Sequence, residues 1–102
     1  MRIIAPSRIK EWCQKHPRAK ERLESWLKIT ESATWSHPPD MKKAFPSVDP
    51  VKVKSGRIVY VFDVRQNEFR LVCAVHFNRG LVYALKLMPH KEYERGEWKK
   101  EL

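Results

Sequence analysis

The 102 residues suffice for one domain, 1–102, with a single modest core, and a hydrophobic share of 42% that includes four Trp, four Phe and three Tyr excludes a disordered polar chain. No run approaches the roughly 18 apolar residues needed to cross a bilayer, and the first twelve residues turn charged too soon for a secretory signal, so the cytoplasm is the expected compartment, with no membrane contact. Lys and Arg number 21 against 12 Asp and Glu, and the resulting net charge of +9 favours polyanionic partners.

Arg2 to Ala5 is a short apolar run suited to an edge strand, and Pro6-Ser7 then turns the chain with Ser7 placed to cap a helix. In that helix Ile9, Trp12 and Cys13 fall at i, i+3 and i+4 and make one apolar face. Lys15-His16-Pro17 ends it and starts another, because proline is poor inside a helix and suited to its first position. From Pro17 to about Glu31, Ala19, Leu23, Trp26, Leu27 and Thr30 recur at helical spacing, with charged side chains opposite. Ser36 to Pro50 holds Pro38, Pro39, Pro46 and Pro50 and reads as a connection, with one helical turn over Asp40 to Phe45. The two cysteines, Cys13 and Cys73, are flanked by core-like residues and read as buried free thiols.

From Val51 the period becomes two. Ile58, Tyr60, Phe62 and Val64 line one side of a strand, as do Phe69, Leu71, Cys73, Val75 and Phe77, and then Leu81, Tyr83, Leu85 and Leu87. Short loops at Arg65-Gln66-Asn67 and Asn78-Arg79-Gly80 make these three strands an antiparallel meander. The predicted fold is α+β, with two N-terminal helices packed on one face of a twisted antiparallel sheet. Alternation then puts Arg70, Val72, Ala74 and His76 on the open face, with Lys86 beside them and small Ala74 and Ala84 leaving room for a ligand.

A helical hairpin, Phe45-Pro46-Ser47 with an acidic residue soon after, Val61-Phe62, Asn67-x-x-Arg70 and a late His90-x-x-Tyr93 follow one another in this order. Together they resemble the HigB family of toxins in the RelE-like superfamily, over nearly the whole chain. The resemblance implies a RelE-like microbial RNase fold and an mRNA interferase that cuts messenger RNA on the ribosome without a metal or other cofactor. It also implies a helix-turn-helix antitoxin, HigA-like, as partner. The chain departs from the family pattern at two places. Gln66-Asn67 stands where Gly-Asn is common, and Pro89 where a Thr commonly precedes the motif histidine.

Read on their own, the residues suit that chemistry. Internal RNA cleavage needs the 2′-hydroxyl deprotonated, the charge on the phosphorane stabilised and the leaving 5′-oxygen protonated. Arg70 offers a forked cation for two phosphate oxygens. His90 is the side chain best suited to exchange a proton near neutrality. Tyr93, three residues on, would orient a base, or transfer a proton if neighbouring cations lower its pKa. Lys54, Lys86, Lys52 and Lys91 are candidates for phosphate contacts, with a plain solvated charge as the alternative for each. Asn67 is expected to shape the turn, with substrate contact as the lesser role. No His, Cys and acidic set has zinc spacing, and no glycine-rich phosphate loop exists. Two other functions fit the same residues: a non-catalytic RNA- or ribosome-binding protein of this fold, and an RNase that ignores the ribosome.

Overall fold

Proline has a backbone angle ready-made for the first position of a helix, and α1 (Pro6–Lys15) starts on Pro6 in the computed structural model, which describes residues 1–102. The capping expected of Ser7 is not made. Ala5 precedes the helix in the left-handed region at φ 58°, because β1 (Arg2–Ile4) must reverse into α1 within one residue. After a 3-10 turn over Pro17–Ala19, α2 (Lys20–Ser32) buries Leu23, Trp26 and Thr30 along the expected stripe. The next helix, α3 (Pro38–Ala44), exceeds the single turn expected because Pro38 and Pro39 open it rather than precede it.

The sheet holds β2 (Asp49–Lys52), β3 (Ile58–Val64), β4 (Phe69–His76) and β5 (Leu81–Pro89) besides β1, in the order β1-β5-β4-β3-β2. The expected meander is present as β3, β4 and β5, and β2 extends it antiparallel. At the other edge β1 runs parallel to β5, so the sheet is mixed rather than wholly antiparallel. A parallel neighbour requires a long connection, and the chain from β1 through the helices and then β2, β3 and β4 supplies one. The α+β architecture, with the N-terminal helices on one sheet face, is as the sequence predicts.

One bulge changes which residues those helices cover. Val72 faces Lys86 across the ladder while Cys73 faces Ala84, leaving Leu85 as an extra residue in β5. Before the bulge Val82 and Ala84 join the main core and are 0% and 1% exposed; beyond it Leu87 does. Leu81, Tyr83 and Leu85 therefore do not share the side of Leu87, and Ala84 is not on the open face. Arg8 reinforces this contact by donating a hydrogen bond from Nη1 to the Ala84 carbonyl oxygen at 3.1 Å. Ile58, expected beside Tyr60 and Phe62, stays exposed at the strand's end.

A second, smaller apolar cluster forms on the opposite face, where a single core was expected. Val53, Val59, Val61, Val72 and Met88 close under Trp98, with Tyr93 at the margin. The chain gets there through α4 (His90–Arg95) and α5 (Trp98–Glu101), which Gly96 separates at φ 75°. That left-handed C-cap lets the chain double back, and the Trp98 Nε1–H donates to the Tyr93 carbonyl oxygen at 3.0 Å. Both cysteines are free; Cys73 is buried in the main core and Cys13 half-buried. No helix is long and apolar enough to cross a membrane.

Candidate active site

The tight loop between β3 and β4 sets the position of Arg70. Arg65, Gln66 and Asn67 all adopt left-handed backbone, with φ of 56°, 49° and 68°, so Asn67 serves the turn as expected. This geometry pairs Val64 with Phe69 and hence Asp63 with Arg70. On the face away from α1 and α2, Arg70 Nη1 lies 2.9 Å from Asp63 Oδ1, and the arginine side chain is only 12% exposed. The approach is an ion pair without hydrogen-bond alignment, so buried Nη1 has no hydrogen-bond partner.

Tyr93 packs against the same guanidinium. The Arg70 Cζ is 5.3 Å from the centre of the tyrosine ring, a cation–π distance, and Trp98 stacks on that ring at 5.3 Å with an interplanar angle of 20°. Burial, followed by the charge of Asp49, raises the pKa of the Tyr93 hydroxyl; Arg70 opposes the shift and Asp63 adds to it. The lowered value considered from sequence is thus reversed. The phenol therefore keeps its proton.

Arg70, Tyr93 and Asp63 line a polar cleft of about 400 Å³, together with Asp49, Ser47 and Lys42. The sequence-predicted residues divide around it. His90 heads the helix that carries Tyr93, and its backbone N–H donates to the Glu68 carbonyl oxygen at 3.0 Å. Its Nε2 lies 2.8 Å from Glu94 Oε1, its Nδ1 is buried without a partner, and its ring does not line the cleft. Lys86 is on the predicted face, opposite Val72, but is ion-paired with Glu101. Lys52, Lys54 and Lys91 are exposed, and none of the four predicted lysines lines the cleft. His76, also placed on the open face, is exposed with its ring against Tyr83 at 5.2 Å.

Lys42, Asp49 and Asp63 are the charged residues that the sequence reading missed. Asp63 was findable, since counting back across a four-residue hairpin loop sets it opposite Arg70. Asp49 is the acidic residue that follows Phe45-Pro46-Ser47 in the family pattern, a signal that marked the position without a role; Lys42 carried none, because the turn of the chain between α3 and β2 brings it to the cleft.

A second charged cluster braces the hairpin. Glu68 Oε1 and Oε2 accept from Arg18 Nη2 and Nε at 2.8 and 2.9 Å, and Arg65 Nη1 reaches Oε1 at 3.1 Å. These arginines, Arg18 foremost, hold the Glu68 carboxyl down at about 2. The Glu68 carbonyl is the acceptor for His90, so the brace is tied to the start of α4.

Comparison with known proteins adds an independent finding. The family model described as HigB toxin, RelE-like toxic component of a toxin-antitoxin system, matches residues 19–96. The chain is 32% identical over 94 residues to the mRNA interferase toxin HigB of Escherichia coli (strain K12), covering 92% of this chain and 88% of that protein. It has the same identity and coverage with the mRNA interferase HigB of Shigella flexneri. With the mRNA interferase HigB of Escherichia coli O6:H1 it is 27% identical over 95 residues, or 93% of this chain and 90% of the relative.

Proposed function

This chain belongs to the HigB family of RelE-like toxic components of toxin-antitoxin systems, and we propose that it is an mRNA interferase, an endoribonuclease that cuts messenger RNA on translating ribosomes. The observation that carries this reading is the Arg70 guanidinium at a polar cleft, held by the Asp63 carboxylate at Nη1 and by the Tyr93 ring against it. Such a fork suits the oxygens of an RNA phosphate as negative charge builds on the phosphorane.

In the proposed reaction the 2′-oxygen attacks phosphorus and the P–O5′ bond breaks, leaving a 2′,3′-cyclic phosphate and a 5′-hydroxyl. Arg70 stabilises the phosphorane. Tyr93 donates its proton to the leaving 5′-oxygen, which is far more basic than a phenol, and His90, at the head of the helix that carries Tyr93, assists from outside the cleft lining. Lys91, Lys52 and Lys54 contact flanking phosphates, as does Lys86 once released from Glu101. The net positive charge favours ribosomal RNA as the docking surface. The proposed setting is the cytoplasm, and the antitoxin partner a helix-turn-helix protein of the HigA kind.

Induced expression of wild type, Arg70→Ala and His90→Ala, with growth and mapped messenger RNA ends as readouts, tests this. New RNA ends and growth arrest are expected from the wild type, with both reduced in the variants. Growth arrest without new ends would overturn the enzyme reading in favour of a binding protein. Cleavage of naked RNA at the same rate would remove the ribosome from the proposal.

A further inference from the structure

The proposed reaction leaves one role unfilled, that of the group that removes the 2′-hydroxyl proton. We propose that Asp49 is this general base, an assignment that rests on the endoribonuclease reading above. Four ionisable side chains face the cleft besides Asp49: Lys42 from α3, Asp63 from β3, Arg70 from β4 and Tyr93 from α4. Lys42 and Arg70 are cations at neutral pH and have no lone pair to take a proton. Tyr93 holds its own proton, since burial and the carboxylates of Asp49 and Asp63 disfavour its ionised form. Asp63 is committed to Arg70 at 2.9 Å, and protonating it would break the pair that positions the phosphate-binding guanidinium. His90 is outside the cleft lining, with Nε2 turned to Glu94.

Asp49 is the remaining acceptor. It is exposed on β2, opposite Val61, lines the cleft and forms no ion pair or hydrogen bond with another side chain. It is also close enough to Tyr93 for its charge to act on that hydroxyl. The cleft therefore brings together a carboxylate without a side-chain partner, a guanidinium and a phenol that keeps its proton, which are the acceptor, charge stabiliser and donor that displacement at phosphorus requires. In the step assigned here the proton leaves O2′ for an Asp49 carboxylate oxygen as the O2′–P bond forms. The P–O5′ bond then breaks and O5′ takes the Tyr93 proton. Solvent restores both groups, so no metal or co-reactant enters the balance.

The test is single-turnover cleavage of messenger RNA on translating ribosomes by wild type, Asp49→Asn and Asp49→Glu. Binding is measured in parallel on ribosomes whose messenger carries a 2′-deoxynucleotide at the mapped cleavage position. Asp49→Asn is expected to cleave about 100-fold more slowly or worse, with unchanged binding. Its residual rate should climb about tenfold per pH unit as hydroxide takes over the deprotonation, and Asp49→Glu should recover part of the loss. Cleavage by Asp49→Asn within about threefold of wild type, or a loss that resides in binding, overturns the assignment while leaving the endoribonuclease reading intact. A wild type that leaves the messenger uncut overturns both.

Discussion

Tyr93 joins the cleft to the smaller apolar cluster, with its ring 5.3 Å from the Arg70 guanidinium and 5.3 Å from the Trp98 indole. The ring and the hydroxyl can be separated by substitution. Tyr93→Phe keeps both packing contacts and removes the donor, so RNA cleavage should fall about 100-fold with the melting temperature nearly unchanged. Tyr93→Ala should lose both activity and stability. Cleavage kinetics beside thermal melts distinguish the two, and a fully active Phe variant would remove the hydroxyl from the reaction.

Trp98 roofs the smaller apolar cluster and is 3% exposed. Replacing it with alanine removes a large buried ring, the stacking on Tyr93 and the hydrogen bond to the Tyr93 carbonyl oxygen. A loss of about 3 kcal/mol follows, lowering the melting temperature by roughly 12–24 °C. Trp98→Phe should restore most of the stability. A melt of Trp98→Ala that overlays the wild type would mean that the C-terminal segment does not hold this face together.

Glu68 makes stability depend on pH in a defined direction. Its carboxyl is held at about 2 in the folded chain, below the ordinary 4.5, so the fold favours the ionised form. That contribution is fully present above the ordinary value and is lost as pH falls toward about 2. Wild type should therefore melt above Glu68→Gln at pH 7, with the gap closing between about pH 4.5 and 2 and narrowing with added salt. A gap that widened on acidification would contradict the bracing role of Arg18 and Arg65.

The bulge in β5 predicts an asymmetry between neighbours. Ala84 is buried among the main-core residues, whereas Leu85 is the extra, half-buried residue on the strand. Ala84→Leu should overpack the core and cost about 1–3 kcal/mol in denaturant unfolding. Leu85→Ala should be milder. The reverse ranking would place the strand in the unbulged register.

Local sequence was enough to identify α1, α2, the β3–β4–β5 meander and the face on which Arg70 sits, while β2, α4 and α5 were not legible in it. Helical spacing of Leu23, Trp26 and Thr30 and the alternation around Phe69, Leu71 and Cys73 are local periodicities, each with one way to bury its apolar side. The motifs from Phe45-Pro46-Ser47 to His90-x-x-Tyr93 were equally legible, and the family follows from them. Tertiary structure alone decided the register of β5. Leu81-Val82 and Ala84-Leu85 offer apolar residues in both phases, and only pairing with β4 and packing under Arg8 select Val82 and Ala84. It also decided the company of Arg70. Asp49, Lys42 and the Tyr93–Trp98 stack come from α3, β2 and the C-terminal helices, and no periodicity within a strand encodes how separate segments meet over it.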